Sequence, residues 1–122
     1  MILGMGLDIV DLEGFRAQLG DPASAFAQAT FTPAELADAD DRPSDDRARH
    51  LAARYAAKEA LIKAWSGSRW GQSYLLPGGV DYREIELITD ARHRPAMQIH
   101  GELARVIGEM ELNLRAHVGA LC

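Results

Sequence analysis

Apolar residues alternate with small or polar ones from the start of the chain, where residues 1–11 read MILGMGLDIVD. In an extended strand, Leu7 and Ile9 fall on one face, and Gly6 and Asp8 fall on the other. Glycine within a strand often marks the close approach of a ligand or another backbone. The pattern therefore predicts a first strand. Its Asp8 is either a strand-end carboxylate near the surface or a ligand of a hard cation.

A second pattern, with helical period, covers residues 49–67, which read RHLAARYAAKEALIKAWSG. These residue types favour a helix until the final Ser-Gly. Its alanine-rich stripe also carries Tyr55, Glu59 and Lys63. A carboxylate in a crowded stripe has to be paired, hydrogen-bonded or bound to a metal. Glu59 is then either half of an ordinary i,i+4 pair with Lys63, or, with Asp8, part of a magnesium site that also needs phosphate oxygens.

The start of a shorter helix is encoded in residues 31–36, FTPAEL. Thr32 is the expected N-cap, Pro33 occupies the first helical position, and Glu35 completes a capping box. Phe31 and Leu36 have the spacing of a hydrophobic staple. We expect this segment to be structural.

The remaining segments give weaker signals. They predict a solvated polar loop over residues 38–49 and a second loop over 66–81 that serves as a lid or partner surface. After these loops they predict a strand over 83–89, a turn over 90–95, a return strand over 96–100 and a short helix over 102–109. His93 is expected in the turn and His100 at a strand end. Neither has a neighbouring nucleophile or metal cluster in the sequence.

Composition narrows the class of protein. The chain has 122 residues, of which 48% are hydrophobic and 25% are charged, as in a soluble single domain. No apolar run reaches transmembrane length. The single cysteine, Cys122, suits a reducing cytoplasm. Neither nucleic acid nor a membrane is expected as a partner, and the net charge of −5 predicts weak electrostatic steering of an acidic protein.

Two segments resemble the signatures of a known family. Residues 6–10, GLDIV, resemble the opening G-x-D-[IV]-V of the holo-acyl-carrier-protein synthases. Residues 54–64, RYAAKEALIKA, resemble the R-[FWY]-A-A-K-E-A-x-x-K-A motif of the same enzymes. The resemblance implies the α+β fold of the AcpS-type 4′-phosphopantetheinyl transferases, in which a small antiparallel sheet packs on a long helix. It also implies one domain over residues 1–122 and a homotrimer with active sites at subunit boundaries.

In that family, coenzyme A donates its phosphopantetheine arm to a serine of an apo acyl carrier protein, and adenosine 3′,5′-bisphosphate is released. By position, the resemblance makes Asp8 and Glu59 the Mg²⁺ ligands, and makes both of them, with Lys63, catalytic residues. It further implies that the coenzyme's phosphates are held by Arg54, Lys58, Lys63, Ser66, Gly67 and Ser68. Whether a water held by Glu59 or a neutral Lys63 deprotonates the serine is left open.

The resemblance weakens at the carboxyl end. His117-Val118 resembles the opening of the family's W/H-V-S-x-[ST]-H motif, but residues 119–122, GALC, lack its serine and final histidine. We expect the family's last segment to be missing after about residue 118, either because the reading frame ends early or because this branch has dispensed with it. A non-catalytic binder of coenzyme A or carrier protein is therefore the alternative function, and a magnesium-dependent nucleotide or diphosphate hydrolase is a third.

The expected docking region gives one further clue to the partner. The family's carrier proteins are acidic and usually dock on a basic amino-terminal helix. The corresponding residues 12–26 contain Arg16 as their only basic residue, beside Glu13 and Asp21. This composition resembles an actinobacterial branch whose substrate is a carrier domain within a large type I fatty acid synthase.

Overall fold

The structure is a computed structural model that describes residues 11–68, 76 and 78–108; for residues 44, 45, 67, 68 and 108 it describes the backbone alone. The elements of this part of the chain are, in order, α1 (Leu12–Gly20), α2 (Phe26–Thr30), α3 (Pro33–Asp40), α4 (Ser44–Ser68), a 3₁₀ helix (Tyr82–Glu84), β1 (Ile85–Thr89), β2 (Pro95–Ile99) and α5 (Gly101–Gly108). The predicted first strand over residues 1–11, and with it Asp8, lies outside the described residues. So does the carboxyl end from residue 109.

The predicted start of α3 is confirmed. Thr32 Oγ1 accepts a hydrogen bond from the backbone N–H of Glu35 (3.2 Å), and Glu35 Oε1 accepts one from the N–H of Thr32 (3.0 Å). Pro33 follows the N-cap, where its missing N–H costs nothing. Phe31 is 1% exposed, and Leu36 packs against the same cluster. The local sequence therefore correctly predicts where this helix begins.

The loop predicted over residues 38–49 is wrong, because α3 continues to Asp40 and α4 begins at Ser44. Only residues 41–43 connect the two helices. Acidic residues are favourable in the first turn of a helix, so the acid-rich sequence is compatible with a helix start as well as with a solvated loop. Arg47 on α4 bonds back to Asp40 Oδ1 on α3 at 2.8 Å. The long helix is therefore about one and a half turns longer than its apolar pattern indicates.

The predicted hairpin is confirmed. β1 and β2 pair antiparallel, with Ile85 opposite Ile99 and Thr89 opposite Pro95. The first strand begins two residues later than predicted, because Asp81 Oδ1 accepts the N–H of Arg83 (3.0 Å) and caps a 3₁₀ turn before it. His93 lies in the connecting turn, as expected, with a positive φ of 59°.

The short helix α5 begins at Gly101, one residue before the predicted start. The Glu84 carboxylate accepts the N–H groups of Glu102 (3.1 Å) and Leu103 (3.2 Å) and so caps the helix from a distant part of the chain. Gly101 has a φ of 61°, and a Cβ on it would lie 1.8 Å from Glu84 Oε2. Glycine is required here both for the backbone conformation and for this close approach.

Two hydrophobic clusters pack on different parts of α4. One lies between the carboxyl half of α4, β1 and α5, and comprises Ala57, Leu61, Trp65, Ile85, Leu87, Leu103, Val106 and Ile107. The other lies between the amino half of α4 and the helices before it, and comprises Phe15, Phe31, Ala39, Leu51 and Ala52. This arrangement, a small antiparallel sheet packed with helices, confirms the predicted α+β class. Within the described residues, no helix combines the length and the apolar character needed to cross a bilayer.

An ion pair between Lys58 and Glu35 lies in the interior, with 0% and 1% of the two side chains exposed. Lys58 Nζ donates to Glu35 Oε1 (2.7 Å) and to the backbone carbonyls of Thr30 (2.7 Å) and Tyr82 (3.1 Å). The other carboxylate oxygen, Glu35 Oε2, accepts the N–H of Leu87 in β1 at 3.1 Å. The pair therefore holds α3, α4, the 3₁₀ helix and β1 together.

We predict that Lys58→Met lowers the free energy of unfolding by about 3–5 kcal/mol, because it leaves the Glu35 carboxylate buried without its counter-ion. Chemical denaturation measured by circular dichroism tests this. Arg47→Ala is the matched control: it breaks the solvent-accessible pair with Asp40 and should cost no more than about 1 kcal/mol. Equal losses in the two variants would contradict the prediction.

Candidate functional site

The Glu59 carboxylate lies half-buried on α4, where a tyrosine from another element reaches it. The hydroxyl of Tyr82, in the 3₁₀ helix, donates a hydrogen bond to Glu59 Oε1. The ring of Tyr82 stacks on that of Tyr55 with centroids 5.9 Å apart and an interplanar angle of 14°. Glu59 therefore has a hydrogen-bond partner other than the Lys63 of the ordinary i,i+4 interpretation.

Lys63 and Ser66 follow Glu59 along the same helix. Residues 59, 63 and 66 are four and three positions apart, so they lie on one face of α4, and both Lys63 and Ser66 are exposed. The loop predicted over residues 66–81 begins later than expected, because α4 continues through Gly67 to Ser68. The structure thus brings Glu59, Lys63 and Ser66 together on one face of α4. Gly67 and Ser68 lie in the last turn of the same helix.

Lys58 is placed differently from the other predicted phosphate-binding residues. Its ammonium has three N–H donors, and Glu35, Thr30 and Tyr82 supply three acceptors. Burial lowers the pKa of Lys58, and the hydrogen bond and charge of Glu35 act in the opposite direction. To bind a phosphate, Lys58 would have to leave this buried network. The geometry therefore favours a structural role, and its contact with the coenzyme stays a prediction.

Arg54 is half-buried one turn after His50 on α4. His50 is buried, and its Nε2 lies 3.1 Å from Asp38 Oδ2 at an angle too poor for a hydrogen bond. Burial lowers the pKa of His50, and the charges of Arg54 and Arg42 lower it further. The nearby charge of Asp38 acts in the opposite direction.

A second carboxylate, Glu86 on β1, is held by two side chains. Thr32 Oγ1 donates to Glu86 Oε2 at 2.5 Å, and His100 Nε2 lies 3.2 Å from Glu86 Oε1. The Thr32 hydrogen bond lowers the pKa of Glu86, and His100 contributes in the same direction. His100 directly follows β2, as predicted for a strand-end residue. The contact joins the hairpin to the start of α3.

Glu59 supplies one carboxylate to a candidate cation site. Tyr82 bonds to Oε1 of this carboxylate, and carboxylate oxygens are the type of ligand that a hard cation such as Mg²⁺ prefers. Among the residues that the structure describes, no three or more His, Cys, Asp or Glu side chains form a cluster that could hold a metal. The predicted second ligand, Asp8, lies outside them, so a shared site remains a prediction.

Sequence reasoning missed Tyr82 and the partners of Lys58. Tyr82 is 23 residues from Glu59 in sequence, and Glu35 is 23 residues from Lys58. The sequence pattern identifies Glu35 as a capping residue, which it is, but gives no sign that the same carboxylate also binds Lys58. The signal in the sequence was Lys58 itself, because a charged residue at a core-facing position of a helix needs a buried partner of opposite charge.

Comparison with known proteins identifies the family to which this fold belongs. The family model described as the 4′-phosphopantetheinyl transferase superfamily matches residues 4–122. The chain belongs to this family. A holo-[acyl-carrier-protein] synthase of Mycobacterium ulcerans is 48% identical over 113 residues, which cover 93% of this chain and 85% of that protein. The resemblance drawn from the two sequence motifs is therefore confirmed, as is the actinobacterial character of the chain.

Solved structures show the same similarity. The apo form of the Chronobacterium ammoniagenes enzyme has a TM-score of 0.78 and 43% identity, and the match covers 87% of this chain and 77% of that one. Its complex with coenzyme A has a TM-score of 0.76 and 41% identity over the same shares of the two chains. These similarities confirm the predicted fold and the enzyme class.

We predict that His50→Gln makes stability less dependent on pH between 7.5 and 5.5. Because the pKa of His50 is lower in the folded than in the unfolded state, the unfolded chain binds the proton more tightly. Stability should fall as the pH drops through about 6.5, by at most about 1.4 kcal/mol per pH unit for one proton. Urea denaturation at several pH values measures the slope.

The carboxylates with lowered pKa values, Asp81, Glu86 and Asp90, lose their stabilising effect at lower pH, below about 4.5. The window from pH 7.5 to 5.5 therefore isolates the histidine contribution. Parallel stability curves for the wild type and His50→Gln across that window would show that His50 titrates alike in both states.

Proposed function

We propose that this chain transfers the 4′-phosphopantetheine arm of coenzyme A to a serine of an apo acyl carrier protein and releases adenosine 3′,5′-bisphosphate. The observation that carries the proposal is the placement of Glu59 and Lys63 one turn apart on one face of α4, inside the RYAAKEALIKA motif. The C. ammoniagenes relative was solved as a complex with coenzyme A, which supports the same donor here.

The reaction exchanges one phosphorus–oxygen bond for another. The serine oxygen bonds to the phosphorus that carries the pantetheine arm, and the bond from that phosphorus to the bridging oxygen of the diphosphate breaks. The bridging oxygen leaves with the adenosine bisphosphate, and the serine proton passes to a base. Such transfers require the protein mainly to position the reactants and to neutralise charge.

Several residues would divide this work. Asp8 and Glu59 would hold Mg²⁺, which supplies positive charge against the diphosphate. Lys63, exposed on α4, would place a point charge beside the phosphates, while Arg54 offers a guanidinium suited to bidentate contact. The last turn of α4, from Ser66 through Ser68, would lie beside the coenzyme. The base is either Lys63 in its neutral form or a water held by Glu59.

The preferred carrier follows from charge. On α1, Arg16 is exposed beside the exposed Glu13, and the last turn carries no basic residue. Such a surface attracts a free, acidic carrier protein only weakly. We therefore propose a carrier domain of a type I fatty acid synthase as the physiological substrate, as in the actinobacterial branch that the composition of this helix resembles. A cytoplasmic homotrimer is the assembly that the family resemblance implies.

We predict that incubation with an apo carrier domain, coenzyme A and magnesium adds one phosphopantetheine arm to the carrier, as measured by intact-mass spectrometry. EDTA should abolish the gain, because the metal neutralises the diphosphate. A free acyl carrier protein and a synthase-derived carrier domain, compared in parallel, distinguish the two kinds of substrate.

The controls separate the alternatives. A carrier with its acceptor serine replaced by alanine should gain nothing. Coenzyme A binding without any transfer would instead identify a non-catalytic binder. Release of adenosine bisphosphate in the absence of a carrier would identify a hydrolase.

We predict that Glu59→Gln lowers the transfer rate by at least about 100-fold while leaving the thermal unfolding midpoint near that of the wild type. The amide keeps an oxygen that can accept the Tyr82 hydroxyl but removes the charge needed to hold a cation. Rates come from the same mass assay and the midpoint from calorimetry. A rate close to wild type would remove Glu59 from the chemistry, and a large fall in the midpoint would make it a structural residue.

A further inference from the structure

Tyr82 contacts α4 through three different groups. Its backbone carbonyl accepts a hydrogen bond from Lys58 Nζ at 3.1 Å. Its ring stacks on Tyr55, and its hydroxyl donates to Glu59 Oε1. Backbone, ring and hydroxyl are therefore each held by a different residue within a single stretch of five positions on α4.

The spacing of these contacts explains how the hydroxyl reaches the carboxylate. Tyr55 and Glu59 are four residues apart and lie on the same face of α4, one turn from each other. The two rings are nearly parallel, at 14°. Tyr82 thus lies along the helix surface, with its ring over Tyr55 and its hydroxyl at Glu59. Lys58, adjacent to Glu59, fixes the backbone from which this side chain extends.

We propose that Tyr82 is a positioning residue for Glu59, holding the carboxylate through Oε1 so that Oε2 faces the cation and the diphosphate of coenzyme A. The proposal rests on the proposed transferase function and adds a residue to that site. A glutamate side chain has several rotatable bonds, and a group that must meet a cation in one geometry gains from being fixed beforehand. Tyr82 is outside both sequence motifs, and only the fold brings it to Glu59.

The ring and the hydroxyl of Tyr82 have separable effects. The ring extends an aromatic group in which Tyr55 also contacts Phe15 and Phe26, with centroids 5.8 Å and 5.5 Å away. Phenylalanine would keep this packing. The hydroxyl contacts Glu59, so its removal should change the behaviour of the site and leave the fold intact.

The test compares Tyr82→Phe with the wild type in two measurements. Isothermal titration gives the affinity for coenzyme A, without carrier, in magnesium and in EDTA. Steady-state kinetics gives kcat, the KM for the carrier and the magnesium concentration at half-maximal rate. We expect the magnesium-dependent affinity to fall about tenfold, as for loss of a hydrogen bond to a charged group, while the affinity in EDTA is unchanged. The half-maximal magnesium concentration should rise and kcat should fall, with the KM for the carrier unaffected.

Arg83→Gln is the matched control. Arg83 is exposed on the same 3₁₀ helix and bonds to Asp81 instead of Glu59, so its replacement perturbs the turn but not the carboxylate. It should leave all these quantities at wild-type values. In a Glu59→Ala background, Tyr82→Phe should have no further effect on coenzyme A binding, since the group that it positions is already gone.

Three results would overturn the proposal. The first is wild-type behaviour of Tyr82→Phe. The second is an equal loss of affinity in magnesium and in EDTA together with a lower unfolding midpoint, which would make the hydroxyl structural. The third is an undiminished effect of Tyr82→Phe in the Glu59→Ala background. Failure of the wild type itself to bind coenzyme A in a magnesium-dependent way would instead refute the proposed function.

Discussion

The buried ion pair of Lys58 and Glu35 is the interaction on which the described structure most depends. Glu35 closes the capping box of α3, receives the ammonium from α4 and accepts the N–H of Leu87 from β1. A charge in the interior is tolerated only when its partners lie at hydrogen-bonding distance. A small displacement of α3, α4 or β1 would leave a buried charge or a backbone N–H without its hydrogen-bond partner. The pair therefore constrains how α3, α4 and β1 are arranged relative to one another.

The same pair connects the interior to the candidate site. Lys58 and Glu59 are consecutive, yet one is wholly buried and the other is half-exposed beside Lys63. Lys58 also holds the carbonyl of Tyr82, whose hydroxyl meets Glu59. Rigid support of this kind is what an active-site carboxylate needs, since catalysis by positioning loses much of its effect when the geometry loosens.

The sequence predicts what is local and misses what is not. The capping box at Thr32, the hairpin and the helical stripe of α4 all depend on residues within a few positions of each other, and the structure has all three. The loop expected over residues 38–49 is helical, because a polar stretch can belong to a helix whose few buried positions, such as Ala48, are hard to recognise. The burial of Lys58 and the contact of Tyr82 with Glu59 depend on residues that are distant in sequence. Neither periodicity nor capping signals identify such contacts.

The adjacency of Lys58 and Glu59 has a consequence for how mutational surveys of this enzyme class are interpreted. A screen that scores only the product would return both residues as indispensable, and would merge two unrelated defects. If the roles proposed above hold, loss of Lys58 would reduce the number of folded molecules, whereas loss of Glu59 would reduce the rate at which each folded molecule turns over. Neighbouring positions of one motif would then act on different quantities, one on cellular abundance and the other on turnover.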